Sequence, residues 1–438
     1  MGDTQNKTLV GPAYRRSDWH ARYGIVALIC GAVAINYLDR ALLGVALPDL
    51  QREFGLQATL SGLLLSAFSW TYFLAQLPSG ILLDRLGVKI TYVASIAVWS
   101  VITLLHGLVG GFRLLFGLRL ALGLAEAPCF PANSKIIAMW CPRSERARAV
   151  GLYTAAEYVG LGFLSPILFW GLSVAGWRSL FVVAGLIGVA YSVVFARRYF
   201  DPDAHPTLTH AERDAITSGG GLGTHPVAPR WSWAAVGRLL AHRQILGVCL
   251  GQFAVHSTLT FFLTWFPSYL VTERHIDWIK AGFMASLPYL AAFAGVLVAG
   301  FWSDKLLTRG ASLSVARKLP VITGLLVATV IVAANYVESS FLIVAVLTVA
   351  FFAQGMSGTS WAVIPEIAPP AQLGLVGGLF NAAGNLAGIV TPVVIGIIVD
   401  TTGSFVGALY FVGGVALLGA FSWIFIVGRL EPVTVAST

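Results

Sequence analysis

Twelve stretches of this chain are long and apolar enough to cross a lipid bilayer. They lie near residues 24–47, 60–83, 90–110, 112–139, 148–174, 178–199, 244–271, 280–303, 318–337, 340–364, 374–399 and 404–428. About 20 predominantly apolar residues suffice for one crossing. In hydrocarbon every backbone N–H and C=O must be satisfied within its own segment, so each run is a helix and not a strand. Composition agrees, with 57% hydrophobic and 11% charged residues, against about 25% charged in an ordinary soluble domain. The chain reads as an all-α membrane protein with twelve transmembrane helices.

A net charge of +8 invites a nucleic-acid reading, which the distribution of bases argues against. With the N-terminus placed in the cytoplasm, the loops and ends of that side collect most of them, including Lys7, Arg15, Arg16, Arg85, Lys89, Arg146, Arg197, Arg198, Arg213, Arg230, Arg243, Lys305, Arg309 and Arg317. The other side keeps only Arg52, Arg113, Arg178, Arg274 and Lys280. The positive-inside rule then puts both termini in the cytoplasm. Four cysteines form no CxxC pair, so neither a disulfide framework nor a zinc site is indicated. The polar first twenty residues, and an Asp-Arg pair inside the first run, argue against a cleaved signal peptide.

Residues 200–243 interrupt the apolar pattern and divide the spans six and six: 1–199, a linker, and 244–438. Within the linker, "THAE" (Thr209 to Glu212) fits a capping box opening a short helix. "SGGGLG" lacks the preceding strand of a phosphate loop, so it reads as flexible linker. The halves echo each other. "GILLDRLGVK" (Gly80 to Lys89) returns as "GFWSDKLLTRG" (Gly300 to Gly310), and "GLYTAAEYVGLGFLSP" from Gly151 returns as "GLFNAAGNLAGIVTP" from Gly378. Parallel six-span repeats are the plan of transporters that bind substrate near the midplane between the repeats. In the repeated loop, Gly80 suits close helix contact, and Asp84, beside Arg85, suits a cap or an ion pair across the halves. Asp304 is its counterpart in the second copy. Together they read as a gating loop.

Three acids (Asp39, Glu126, Glu157) and two bases (Arg40, Arg119) fall well inside the spans. Such groups are expensive in hydrocarbon and mark a lined cavity or an ion path. Arg40 offers a planar fork for a carboxylate. Desolvation disfavours a carboxylate and a neighbouring arginine restores it. An anion that takes over the arginine would therefore free Asp39 or Glu126 to hold a proton. Arg119 and Glu126 stand two turns apart on one face, while Asp39 and Arg40 diverge by about 100°; we expect pairing between the first and fourth spans. His106 and His256 are the histidines at membrane depth, and a packing role for them outweighs a proton relay. Pro267 should kink the aromatic seventh span. Asn381 and Asn385, four apart, give one polar face.

The segments "INYLDRALLGVALPDLQREFG", "LSAFSWTYFLAQLPSGILLDRLG", "GLAEAPCFPANSKIIAMWCP", "GQFAVHSTLTFFLTWFPSYL" and "KAGFMASLPYLAAFAGVL" together resemble the anion:cation symporter family of the major facilitator superfamily. Within it the likeness is to the bacterial D-galactonate and related sugar-acid proton symporters. The likeness runs from about residue 20 to 430 and implies the twelve-helix major facilitator fold, with transport by alternating access. It implies Asp39 and Glu126 as proton-coupling carboxylates, Arg40 as the arginine that meets the substrate carboxylate, and Arg119 in a supporting ion pair. Tyr37, Tyr72, Trp361 and Asn381 match positions around the sugar acid. Glu157 stands where such members carry a glutamine, Leu42 replaces an asparagine, Thr260 a tryptophan and His256 a small residue. Glu157 and His256 therefore point to a different acid in the pocket.

The expectation is a proton-coupled importer of a small organic anion of the galactonate, hexuronate or aldarate type, in a bacterial inner membrane. Transport of aromatic or alicyclic carboxylates, or an anion exchanger or exporter of the same fold, stays open as the alternative. A membrane enzyme is disfavoured, since no HExxH, GxSxG or metal-ligand cluster occurs. The expected partners are the anion and the lipid bilayer, with no nucleic acid, no metal and no cofactor beyond the coupling protons, in a monomer.

Overall fold

The computed structural model describes residues 20–206, 208–221, 233–369 and 372–433. The chain ends, with Lys7, Arg15 and Arg16, lie outside the described residues, as does Arg230. The first half comprises α1 (His20–Phe54), α2 (Ala58–Leu86), α3 (Val88–His106), α4 (Phe112–Glu126) with its continuation α5 (Cys129–Trp140), and α6 (Arg143–Arg198). Between the halves lie α7 (His210–Ser218) and α8 (Trp233–Ala241). The second half holds α9 (Arg243–Thr264), α10 (Phe266–Ser268), α11 (Trp278–Thr308), α12 (Leu313–Ala328), α13 (Ser340–Ser357), α14 (Ile364–Ile367), α15 (Leu373–Thr402) and α16 (Val406–Phe421).

Eleven helical stretches among the described residues are long and apolar enough to cross a membrane. One of them, Arg148–Arg198, runs 51 residues, about 75 Å at 1.5 Å per residue and enough for two crossings. It breaks at Gly176 (φ 75°, ψ 168°), a conformation that costs a residue with a Cβ far more. The protein is thus a twelve-span helical bundle in two six-span halves. The seventh span breaks around Pro267: α9 ends at Thr264, and the one-turn α10 and a wide turn over Tyr269–Glu273 carry it on.

Within the halves, α1 and α3 pack on α6, and α11 on α13; across them, α2 packs on α15 and α6 on α11. The cross-half contacts concentrate where α1 ends and α2 begins, here called the far end, opposite the linker. A Cβ on Gly62 would overlap the Pro392 carbonyl, and one on Gly396 the Ala58 carbonyl. Only glycine lets the two backbones meet there. The Asp400 carboxylate of α15 accepts from the first amides of α2, Ala58 N at 2.7 Å and Thr59 N at 2.6 Å.

On the linker side of the Gln76–Asn381 hydrogen bond the halves separate. There Gly80 of α2, Gly151 of α6, Gly300 of α11, and Gly374, Gly377 and Gly378 of α15 face no atom within 4 Å of an added Cβ. The close contact expected of Gly80 is therefore not made, because the helix it would meet stands away on this side. The bundle is shut at its far end and open toward the linker.

The linker departs from the flexible reading over its described part. Thr209 caps α7, its hydroxyl accepting from Glu212 N at 3.2 Å. The other half of the capping box is not formed, since Glu212 turns instead to accept from Arg22 N at 3.2 Å. The first glycines of "SGGGLG" end α7: Gly220 has φ 80°, and Gly221 N donates to Ile216 O at 2.7 Å, a Schellman-type stop. Ile216 is fully buried, and Arg146 binds Gly220 O at 2.8 Å. Leu222 and Gly223 of that motif lie outside the described residues.

Candidate functional site

The site is organised by α1. Arg40 points into the bundle, and its Nε donates to Glu126 Oε2 of α4 at 3.0 Å, so the first and fourth spans do pair. Its guanidinium lies 5.0 Å from the ring centre of Tyr37, 4.6 Å from Phe68 and 4.8 Å from Tyr72. Three aromatic faces thus hold one cation in a dry setting, where cation–π attraction is strongest. The Arg40 side chain keeps 15% exposure while Glu126 keeps none, so the arginine and not the acid is the reachable partner.

Asp39, about 100° around the helix, stands in the field of Glu126 and Arg119 of α4 and near Thr103 of α3. Arg119 lies 5.4 Å from the Phe68 ring, on which Arg40 also rests. The ion pair expected for Arg119 is not formed: its Nε and Nη1 are buried without a hydrogen-bond partner. Arg40 occupies the Glu126 oxygen instead, and Arg119, two turns earlier on α4, is left over Phe68. Asp39 Oδ1, Thr103 Oγ1, Glu126 Oε1, Arg40 Nη2 and both amide atoms of Asn36 are likewise buried and unpartnered. Leaving such groups unsatisfied costs about 1–3 kcal/mol each. A concentration of this kind is where a protein holds exchangeable protons or a polar ligand.

Glu157 of α6 lies within reach of the Tyr37 hydroxyl and in the field of Arg40; it is 6% exposed, against 0% for Glu126 and 1% for Asp39. Its neighbour Tyr158 meets Phe351 of α13 edge-on at 6.0 Å. His256 of α9 also feels Arg40, and its ring leaves 2.9–3.0 Å for a Cβ on Gly384. Arg40, Glu126, Tyr37 and Tyr72 are joined by direct contacts, and Glu157 and His256 lie in the field of Arg40. Asn381 is tied elsewhere, donating to Gln76 Oε1 at 2.8 Å and accepting at its carbonyl from Asn385 at 3.0 Å. Trp361, 45% exposed, packs edge-on against Phe380 at 4.8 Å; no contact ties it to Arg40. Leu42 is fully buried. His106 packs: its ring stacks on Phe181 at 5.3 Å, and Nδ1 lies 2.7 Å from Ile102 O.

The two repeated loops bond within their own halves. Lys135 donates to Asp84 at 2.7 Å, and Arg317 to Asp304 at 3.4 Å. Asp84 does not reach across the halves, since the linker side is open. Arg85 is exposed.

Phe68, Gln76 and Thr103 were not singled out from the sequence. A glutamine inside the apolar "FLAQLPSG" is a signal of the same kind as the buried charges. Phe68 and Thr103 carry none, since an apolar span is rich in such residues.

Residues 29–316 match the family model described as Major Facilitator Superfamily. The chain is 44% identical over 417 residues to the D-galactonate transporter of Escherichia coli O6:H1 (strain CFT073), covering 94% of this chain and 97% of that protein. It is 40% identical over 435 residues to the probable galactarate/D-glucarate transporter GudP of Bacillus subtilis (strain 168), covering 97% and 95%. A crystal structure of a D-xylose–proton symporter superposes with a TM-score of 0.72 at 14% identity, over 95% of this chain and 100% of that one.

Proposed function

The chain belongs to the major facilitator superfamily, a multi-pass membrane transporter and not an enzyme, and from that premise we propose that it imports a sugar acid together with protons. The observation that carries the reading is the Arg40–Glu126 pair at 3.0 Å, buried under three aromatic rings. The relatives named for galactonate and for galactarate/D-glucarate support the substrate class.

The two charges of that pair have different fates. A substrate carboxylate entering beside Arg40 competes with Glu126 for the guanidinium, and a bidentate grip favours the newcomer. Glu126, stripped of its cation in a dry site, must then take up a proton. Substrate and proton thus bind together. Asp39, behind α1 beside Arg119, supplies or receives the proton across the helix. The described conformation, shut at the far end, delivers to the linker side. With the positive-inside orientation that side is the cytoplasm of a bacterial cell, and the membrane is the inner one.

Uptake of labelled D-galactonate into proteoliposomes, with the lumen alkaline, tests this. Glu126→Gln should abolish gradient-driven accumulation while retaining substrate exchange, and Arg40→Ala should remove binding in a thermal-shift titration. Full accumulation by the glutamine variant would refute the coupling role.

A further inference from the structure

We propose that residues 430–433, beyond the last span, brace the broken end of the tenth span and make it move with the second half during transport. The turnover part of this inference rests on the transport reading. The tenth span begins as α13, tightens into 3-10 geometry over Gly358–Val363 and ends in the four-residue α14. Pro365 causes the break. Proline has no N–H to give to the carbonyl four residues back, here that of Trp361, so Ile364 N donates to it from three residues away. Pro369 closes the segment, since the residue before a proline is pushed to extended backbone, as Ala368 is.

The two sides of that break are held very differently. α13 is locked within its half: a Cβ on Gly355 would overlap the Ala292 carbonyl of α11. α14 is a single turn, too short to be stable by itself, and 3-10 geometry inside a helix often marks a hinge. Its place therefore comes from what it packs on. Ile364 and Ile367 are buried in one apolar cluster with Leu239 of α8, Leu430 and Val433. Ile367 O, a carbonyl that the end of a helix leaves without an intrahelical partner, accepts from Val433 N at 2.8 Å.

The strap itself is fastened at several points. Gly428 turns the chain back from the twelfth span with φ 65°, and Lys318 holds its carbonyl at 2.7 Å. Arg429 O accepts from Gln244 of α9, and Leu430 N donates to Ser314 Oγ in the first turn of α12 at 2.8 Å. Leu430 and Val433 are buried, while Glu431 and Pro432 between them are exposed. Residues 430–433 thus join α12 to the detached end of the tenth span. Alternating access rocks one repeat against the other as a body. A turn hanging beyond a proline break would lag behind such a motion unless tied to its own half, and the strap supplies the tie. Its hydrogen-bond partners all belong to the second half. Its loss should therefore slow the conformational step and leave affinity at Arg40 alone.

The experiment uses the full chain and its Val433→Pro, Ser314→Ala and Leu430→Ser variants. The first removes the amide donor but keeps an apolar side chain, the second removes the acceptor on α12, and the third empties a buried anchor. Whichever purify as folded proteins are compared with the wild type. Amide exchange over residues 358–368 should rise about tenfold through freed local opening, with α13 within about twofold of the wild type. The maximal rate of D-galactonate exchange per folded protein should fall about threefold, as a slowed conformational step requires, while thermal-shift affinity stays within about twofold. Unchanged amide exchange over 358–368 in every folded variant would overturn the brace. A local rise with an unchanged maximal rate would overturn its part in turnover. A rise throughout the second half would show general destabilisation and overturn the hinge. If the wild type binds no D-galactonate, the sugar-acid reading fails by itself, and amide exchange, which needs no ligand, still decides the brace.

Discussion

Asp400 closes the far end of the bundle by capping α2 from across the halves, and its removal should shift the conformational balance measurably. The carboxylate accepts two backbone amides, at 2.7 and 2.6 Å, 342 and 341 residues away in sequence. A capping side chain is worth about 0.5–2 kcal/mol, and an anion at a helix N-terminus adds a charge term that solvent weakens at an exposed position. Asp400 is exposed, so about 1 kcal/mol is a fair value for the pair of bonds, a roughly fivefold change in an equilibrium constant. These bonds exist only with the far end shut. Asp400→Ala should therefore populate the far-end-open state about fivefold more, and Asp400→Asn, which keeps one acceptor and loses the charge, by less. Spin labels on cysteines introduced at Arg113 and Glu338, exposed far-end positions in different halves, would report the populations as two distances. The native cysteines are buried or half-buried. An unchanged distance distribution in Asp400→Ala would refute the latch, and a shift toward the shut state would reverse the argument.

Three further outcomes follow from the same structure. Gly62→Val would drive a side chain into the Pro392 carbonyl, so it should hold the far end open and cut transport at least tenfold; normal turnover in proteoliposomes would show that the contact can yield. Gly384→Ala leaves only 2.9 Å to the His256 ring, so it should displace that ring and change affinity for the transported acid severalfold in a thermal-shift titration. His205, edge-on to Trp140 at 5.0 Å, is held below the usual histidine range by burial. It therefore supports the docked linker while neutral, a contribution complete above about pH 6.5 and lost as pH falls below that value. Amide exchange in α7, corrected for intrinsic rate, should rise between pH 7.5 and 5.5, and a flat profile would exclude His205 as the cause.

The spans were legible because hydrophobicity over about 20 residues is a local property, and the site was legible because a charge in oil has no local excuse. Asp39, Arg40, Glu126 and Glu157 announce themselves in that way. Partnership is a different matter. That Arg40 and not Arg119 takes Glu126 depends on which way α4 is turned, and hydropathy is silent about rotation. Asp400 carries no signal of a latch in the sequence, since its partners lie more than 300 residues away and are backbone amides common to every residue. Gly80 shows a related limit: a glycine permits close approach, but the neighbour that would approach it belongs to the other half, which stands away in this conformation. The linker glycines show the limit from the other side, for one of them makes a helix stop that composition alone reads as slack.

Every ionisable side chain of the site but His256 belongs to the first six spans, so the two copies of the repeat have divided the labour. Under the roles proposed here, the energy-converting parts travel with one half as a fixed cassette. The other half contributes His256, with no Lys, Arg, Asp or Glu at membrane depth among the described residues. Such a division lets recognition drift without touching the power source. A chimera that keeps residues 1–199 and takes its last six spans from a relative should inherit the donor's taste for the sugar tail and this chain's dependence on protons.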